Sequence, residues 1–223
     1  MRLSPSISLR INPHFIQYIH ENYIVFVSGC NLVIYDCQIK AQRFLMRKHN
    51  ALTITYLSIG SIFKTQLTKD ISSKIINMER RFYKRNSIDS IRERIEKNKE
   101  ILICLGEYSE KEKYSYLTVI KPMTPNIQYT IKSPEKYWKI NFASILNNTN
   151  YCISISQKLS SNKKIPIQSK ISFAKYTQEQ FLSEEVVNEE LIYCCYNPKN
   201  TIELVVCGKG YLRLWNIFLN ECA

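Results

Sequence analysis

Two stretches of the chain carry one pattern: Val25-Phe26-Val27-Ser28-Gly29-Cys30-Asn31-Leu32-Val33-Ile34-Tyr35-Asp36 and Val205-Val206-Cys207-Gly208-Lys209-Gly210-Tyr211-Leu212-Arg213-Leu214-Trp215-Asn216. Each reads as an apolar strand, a tight glycine-containing turn, and a second strand ending in an aromatic residue followed by Asp or Asn. Glycine belongs there because short hairpin turns require a positive φ that other residues resist. Setting Gly29 on Gly208 calls for one extra residue in the second turn. A weaker version runs through residues 101–106 and 116–121, and a fourth pairs residues 151–156 with 170–175. The last two versions end near Lys175 and Asn216, a spacing of roughly 40 residues, which is the period of a WD40 blade.

The strands between these hairpins fit the same plan. The first blade begins near Phe15. Residues 41–46 read as an outer strand, and residues 52–56 as the innermost strand of the next blade. Residues 191–196 read as another inner strand, ended by Asn197-Pro198, because proline lacks the N–H that would extend the ladder. Val, Ile, Tyr and Thr fill the strands, while Gly, Asn, Pro, Ser and Lys fill the gaps. The expected fold is all-β: a WD40-type β-propeller segment of about four blades over residues 12–223, the last one stopping after its third strand. Four blades of a larger ring leave two open edges, which invite pairing. Either the chain is part of a longer one or another polypeptide completes the ring; a closed four-blade ring is the third arrangement.

One segment departs from the β pattern. Ile71, Ile75, Met78 and Phe82, then Ile88, Ile91 and Ile95, recur at helical spacing. The expectation is a basic helical insertion over residues 61–99, between the first and second strands of the second blade. Its candidate partner-binding residues are Arg80, Arg81, Lys84, Arg85, Arg92 and Arg94. Cations interleaved with Phe82 and Tyr83 suit nucleic-acid phosphates and stacked bases. They equally suit an acidic protein tail, or form the solvated face of an amphipathic helix. A second loop, residues 158–169, is rich in Lys and Ser and reads as a surface connection.

Composition limits the rest. The net charge of +12 favours acidic partners without choosing among them. None of the eight cysteines forms a Cys-x-x-Cys pair, and with three histidines no zinc pattern emerges. The cysteines read as small buried hydrophobes of a reducing compartment. No secretory leader and no membrane-spanning run is evident, so no membrane partner is expected. Gly208-Lys209-Gly210 precedes a strand and lacks the rest of a phosphate loop, so it reads as a hairpin turn. Glu184, Glu185, Glu189 and Glu190 read as a solvated surface connection before an inner strand. No nucleophile, acid–base or metal constellation stands out, so the chain reads as a non-enzyme with no catalytic residue, cofactor or metal.

The stretch from Tyr23 to Tyr35, followed later by the stretch from Tyr193 through Asn197-Pro198 and Gly208 to Trp215, resembles the opening of the large WD-repeat cilia- and flagella-associated proteins, the group that includes members 43, 44 and 57. That resemblance implies a propeller scaffold of the ciliary or flagellar axoneme, hence of the cytoplasm and cytoskeleton. It would lie near doublet microtubules and inner-arm dynein or its tether, within a large hetero-complex. Its partners would be WD-repeat and coiled-coil ciliary proteins, dynein, and tubulin through its acidic tails. The long coiled coils of that family are absent, and the basic insertion is no part of its pattern. The alternatives are a WD40 subunit of a ribonucleoprotein assembly, with RNA as partner, and an adaptor that completes a partner's propeller.

Overall fold

The computed structural model describes residues 15–20, 22–45, 47, 52–63, 99–122, 128–146, 149–159, 168–197 and 200–216. They form four antiparallel sheets in which neighbours in sequence are neighbours in space. Blade I comprises β1 (Ile16–His20), β2 (Tyr23–Ser28), β3 (Asn31–Asp36) and β4 (Ala41–Leu45). Blade II comprises β5 (Thr53–Phe63), β6 (Lys99–Tyr108), β7 (Tyr114–Ile120) and β8 (Gln128–Lys136). Blade III comprises β9 (Trp138–Ile145), β10 (Tyr151–Lys158), β11 (Ser169–Lys175) and β12 (Gln180–Val187); blade IV has β13 (Leu191–Asn197), β14 (Asn200–Gly208) and β15 (Tyr211–Asn216). Helix is nearly absent among the described residues, which include one 3-10 turn, Tyr176–Gln178. The architecture is a partial β-propeller.

The blades are held together by three apolar layers, one at each junction. Val25, Leu32 and Ile34 of blade I meet Leu57, Ile103 and Leu105 of blade II. Leu102, Cys104 and Leu117 of blade II meet Ile140, Ile145 and Cys152 of blade III. Phe142, Ile153 and Ile155 of blade III meet Cys194, Leu204 and Val206 of blade IV. The side-chain period of 2 in a strand makes this possible. On β6, Leu102 and Cys104 face blade III while Ile103 and Leu105 face blade I. That is why 101–105 reads as an unbroken apolar run. A bulge in β9, where Ile155 pairs with Phe142 and Ser156 with Ile140, puts Ile140 and Ala143 on one face. Each fully buried aliphatic side chain contributes about 1.5–3 kcal/mol, so these layers dominate the stability.

Two glycines set how closely blades II and III approach. A Cβ on Gly60 would lie 2.7 Å from Ile145 Cβ, and one on Gly106 would lie 2.6 Å from Ile140 Cγ2. Across the same junction Thr55 and Ser58 donate hydroxyl hydrogen bonds to the carbonyls of Ile140 (2.6 Å) and Ala143 (2.7 Å). The junction between III and IV is pinned by Ser169. Its hydroxyl accepts from the Leu191 N–H at 2.9 Å and donates to the Glu189 carbonyl at 2.6 Å.

Several expectations are corrected in detail. The two deciding hairpins need no extra residue: Ser28 pairs with Asn31 and Gly208 with Tyr211, so each turn has two residues. Positive φ falls on the first turn residue in one, Gly29 (60°), and on the second in the other, Gly210 (74°). The glycines therefore do not correspond, because the turns are of different type. Tyr137, at φ 67°, is the single turn residue joining β8 to β9. Glu184 and Glu185 lie in β12, the outermost strand of blade III, not in a connection. An outermost strand pairs on one edge only and faces water, so its polar sequence hides its β character. Pro134 sits in β8 for a related reason, since an outer strand tolerates a missing N–H.

The cysteines divide. Cys104, Cys152 and Cys194 are buried as expected, whereas Cys30, Cys37 and Cys195 are exposed. Burial pushes the Cys104 thiol up to about 12 and raises those of Cys152 and Cys194 as well. A thiol alkylating reagent at neutral pH should modify Cys30 and Cys37 within minutes and leave these three untouched until denaturant is added, as peptide mass spectrometry would show; labelling of all five at one rate would contradict the packing. The sign of the pH effect follows. The neutral buried Cys104 thiol contributes stability that is fully present below its ordinary value of 9.0 and is lost as pH rises through about 12.

Candidate functional site

The first strand of every blade turns toward one cavity. It has a volume of about 370 Å³ and is lined by Gln17 of β1, Tyr56 and Ser58 of β5, Phe142 and Ser144 of β9, and Tyr193 and Tyr196 of β13. A propeller directs its innermost strands to a central axis, and this concavity is the axial end of the arc. Its floor is aromatic. The ring of Phe142 lies 5.2 Å from that of Tyr56 and 5.1 Å, edge-on, from that of Tyr193. The three residues come from blades II, III and IV, so the contact exists only once those blades pack.

The cavity is electrically neutral, with no charged side chain in its lining. Burial pushes the Tyr56 hydroxyl up to about 12, with smaller contributions from Tyr193 and the neighbouring thiols. Burial also raises Tyr193, followed by Cys195 and Cys194. Both phenols are therefore protonated at neutral pH and offer hydrogen bonds without charge. Large aromatic surface with a polar tip is the side-chain type that dominates protein-binding hot spots. No nucleophile–base pair lies in the cavity. Among the described residues no cluster of His, Cys, Asp and Glu could hold a metal ion.

A second cavity, of about 470 Å³, opens between blades I and II, walled by Ile19, Ile34, Ile101 and Pro122 with Tyr23 and Asp36 at its rim. Asp36 accepts the N–H groups of Gln38 (2.9 Å) and Ile39 (3.1 Å), closing the turn from β3 to β4. The Ile39 N–H holds its carboxyl below the usual range, with Gln38 and Tyr23 adding to the effect against desolvation. This gives a structural reason for the Asp that ends the first deciding stretch. Arg43 donates to the Pro122 carbonyl at 2.8 Å and ties blade I to blade II.

Arg80, Arg81, Lys84, Arg85, Arg92 and Arg94, and the helical character expected around them, lie outside the described residues. Ser61–Phe63 and Lys99, the ends of the expected insertion, belong to β5 and β6. Elsewhere many cations are engaged. Lys132 Nζ sits 4.1 Å from the Tyr114 ring centroid and 3.1 Å from Glu112. Lys170 is buried, with Nζ 3.2 Å from Glu184 and 5.0 Å from the Trp138 ring. Sequence reasoning passed over the aromatic cavity. The signal available was an aromatic residue within the first strands of blades II, III and IV: Tyr56, Phe142 and Tyr193.

No family model matches the chain, and no curated protein matches it. Among solved structures it is similar to one described as the Dos1 propeller, with a TM-score of 0.54 and 7% identity over 91% of this chain and 44% of that one. The likeness establishes the propeller fold, and the chain spans less than half the length of that structure. The ciliary family suggested by the sequence has no support from these comparisons.

Proposed function

We propose that this chain is a protein-interaction scaffold that works as a propeller segment within a larger assembly, without catalysing a reaction. The observation that carries this reading is the neutral, tyrosine-rich cavity on which the first strands of all four blades converge. A site without charge is ill suited to phosphates or to acid–base chemistry, and well suited to an inserted apolar or aromatic side chain of another protein.

The finer reading is an axonemal complex of a cilium or flagellum, near doublet microtubules and dynein. It is supported by the sequence resemblance and by the net charge of +12, which complements acidic tubulin tails. The test is native affinity purification from the source cell, with and without cilia, followed by mass spectrometry. Enrichment of tubulin, dynein chains and WD-repeat ciliary proteins is the expected result. Recovery of ribosomal or spliceosomal proteins would overturn it in favour of the ribonucleoprotein alternative. RNA binding would then weaken steeply with salt, as phosphate contacts require.

A further inference from the structure

The outer edge of blade III is an open strand. β12 stands last in its sheet and is hydrogen-bonded on one side to β11, and among the described residues no strand pairs with its other side. The N–H and C=O groups of every second residue therefore point to water. Leu182, Ser183, Glu184, Glu185 and Val186 are five consecutive exposed residues. At Glu184 the exposure is that of the main chain, because the side chain is 24% exposed, paired with Lys170 and accepting from the Ser172 hydroxyl. Those contacts fix the strand, which keeps regular register with β11 from Ser183 to Val187. The other outer strands are guarded. β4 has five residues with Arg43 at its centre, and β8 carries Lys132, Pro134 and Lys136. Cations and proline deter the addition of a further strand, and β12 has neither. From Tyr176 to Pro198 the chain contains no Lys or Arg but five of its 19 acidic residues: Glu179, Glu184, Glu185, Glu189 and Glu190. Glu184 is matched by Lys170, while Glu185, Glu189 and Glu190 form no ion pair among the described residues. A chain of net charge +12 thus presents one acidic strand edge.

We propose that the outer edge of β12 takes up an extended segment of another protein, in which Lys or Arg alternates with apolar residues, as a further strand of blade III. Main-chain hydrogen bonds to β12 supply the affinity, and the side chains alongside supply the selectivity. Successive side chains of a strand point to opposite faces, so Glu185 and Val186 lie on opposite sides of the blade. An alternating basic segment then sets all its cations on the side of Glu185 and all its apolar residues on the side of Val186. An acidic segment would meet like charge across the ladder, which is unfavourable. The inference goes beyond the scaffold reading, since it concerns the rim of the arc and not the axial cavity, and it is independent of the ciliary placement.

The test is the binding of labelled synthetic peptides to the full 223-residue chain, read by fluorescence anisotropy, with amide hydrogen exchange followed by NMR. The first peptide alternates Lys with Val. In the second, Pro replaces Val, which keeps the charge and removes the capacity to form a ladder. In the third, Glu replaces Lys. The expected result is saturable binding of the Lys–Val peptide alone, with exchange slowed at alternate amides of β12. Glu185→Lys combined with Val186→Lys, at two exposed positions, should weaken that binding by about tenfold or more and leave the circular dichroism of the parent unchanged. Glu110→Lys, a charge reversal in the exposed turn between β6 and β7, should not weaken it. Equal binding of the Lys–Pro peptide would show that charge alone holds the ligand and overturns strand addition. Equal binding of the Glu–Val peptide overturns the choice of a basic partner. No binding of the Lys–Val peptide, or slowed exchange confined to strands other than β12, overturns the site itself. Each of these failures leaves the axial cavity, and the scaffold reading built on it, standing.

Discussion

Replacing Glu107 by Ala is expected to lower the unfolding free energy by about 3–5 kcal/mol, the range found when one member of a buried ion pair is removed. Glu107 and Arg47 are 1% and 5% exposed and form a direct salt bridge. The Arg47 guanidinium also donates to the carbonyl of Cys30, in the first hairpin turn, and to that of Leu52 at 3.2 Å, in the connection between blades I and II. The second carboxylate oxygen of Glu107 accepts from the Thr118 hydroxyl on β7. The pair thus ties a turn of blade I to two strands of blade II. Without the carboxylate the guanidinium stays buried with its charge uncompensated. The control is the double substitution Arg47→Met with Glu107→Leu, which removes both charges and should recover most of the loss. Urea unfolding followed by tryptophan fluorescence would measure it; a loss below about 1 kcal/mol for the single variant would show that the pair is not buried as described.

Phe142→Ala should cost about 3–5 kcal/mol as a large-to-small core substitution. It should also loosen blade IV selectively. Phe142 is 3% exposed and its ring touches Tyr56 of blade II and Tyr193 of blade IV. Truncation leaves a hole where three blades meet, and the aromatic floor of the axial cavity goes with it. Hydrogen exchange should therefore speed up in β13, β14 and β15 more than in blade I. Phe142→Leu, which keeps most of the volume, should stay within about 1.5 kcal/mol of the parent. Uniform acceleration over all four blades would mean that Phe142 supports the whole arc and does not couple blade IV to it. If the cavity is the docking site of the scaffold, the alanine variant should also lose partners that the leucine variant keeps.

Much of the fold was legible because its determinants are local. Alternating or doubly buried apolar runs, punctuated by glycine turns at a near-constant spacing, announce hairpins repeated along the chain. The order of strands in a meander is simply their order in sequence. The inner strand at 191–196 and the outer strand at 41–46 both followed from such signals. The turn chemistry did not follow, because a glycine at either central position reads alike and only φ at Gly29 and Gly210 separates them. Strand β12 was hidden by its own polarity, since an outer strand answers to water on one side.

The amino-acid sequence by itself determined the class of fold and the count of about four blades, since these depend on spacing and composition along short stretches. Tertiary structure alone decided which cysteines are covered, that Arg47 and Glu107 meet across 60 residues, and that Tyr56, Phe142 and Tyr193 form one aromatic floor. The reason is physical: burial of a strand face is a property of the neighbouring blade, and no short-range pattern records which blade is there.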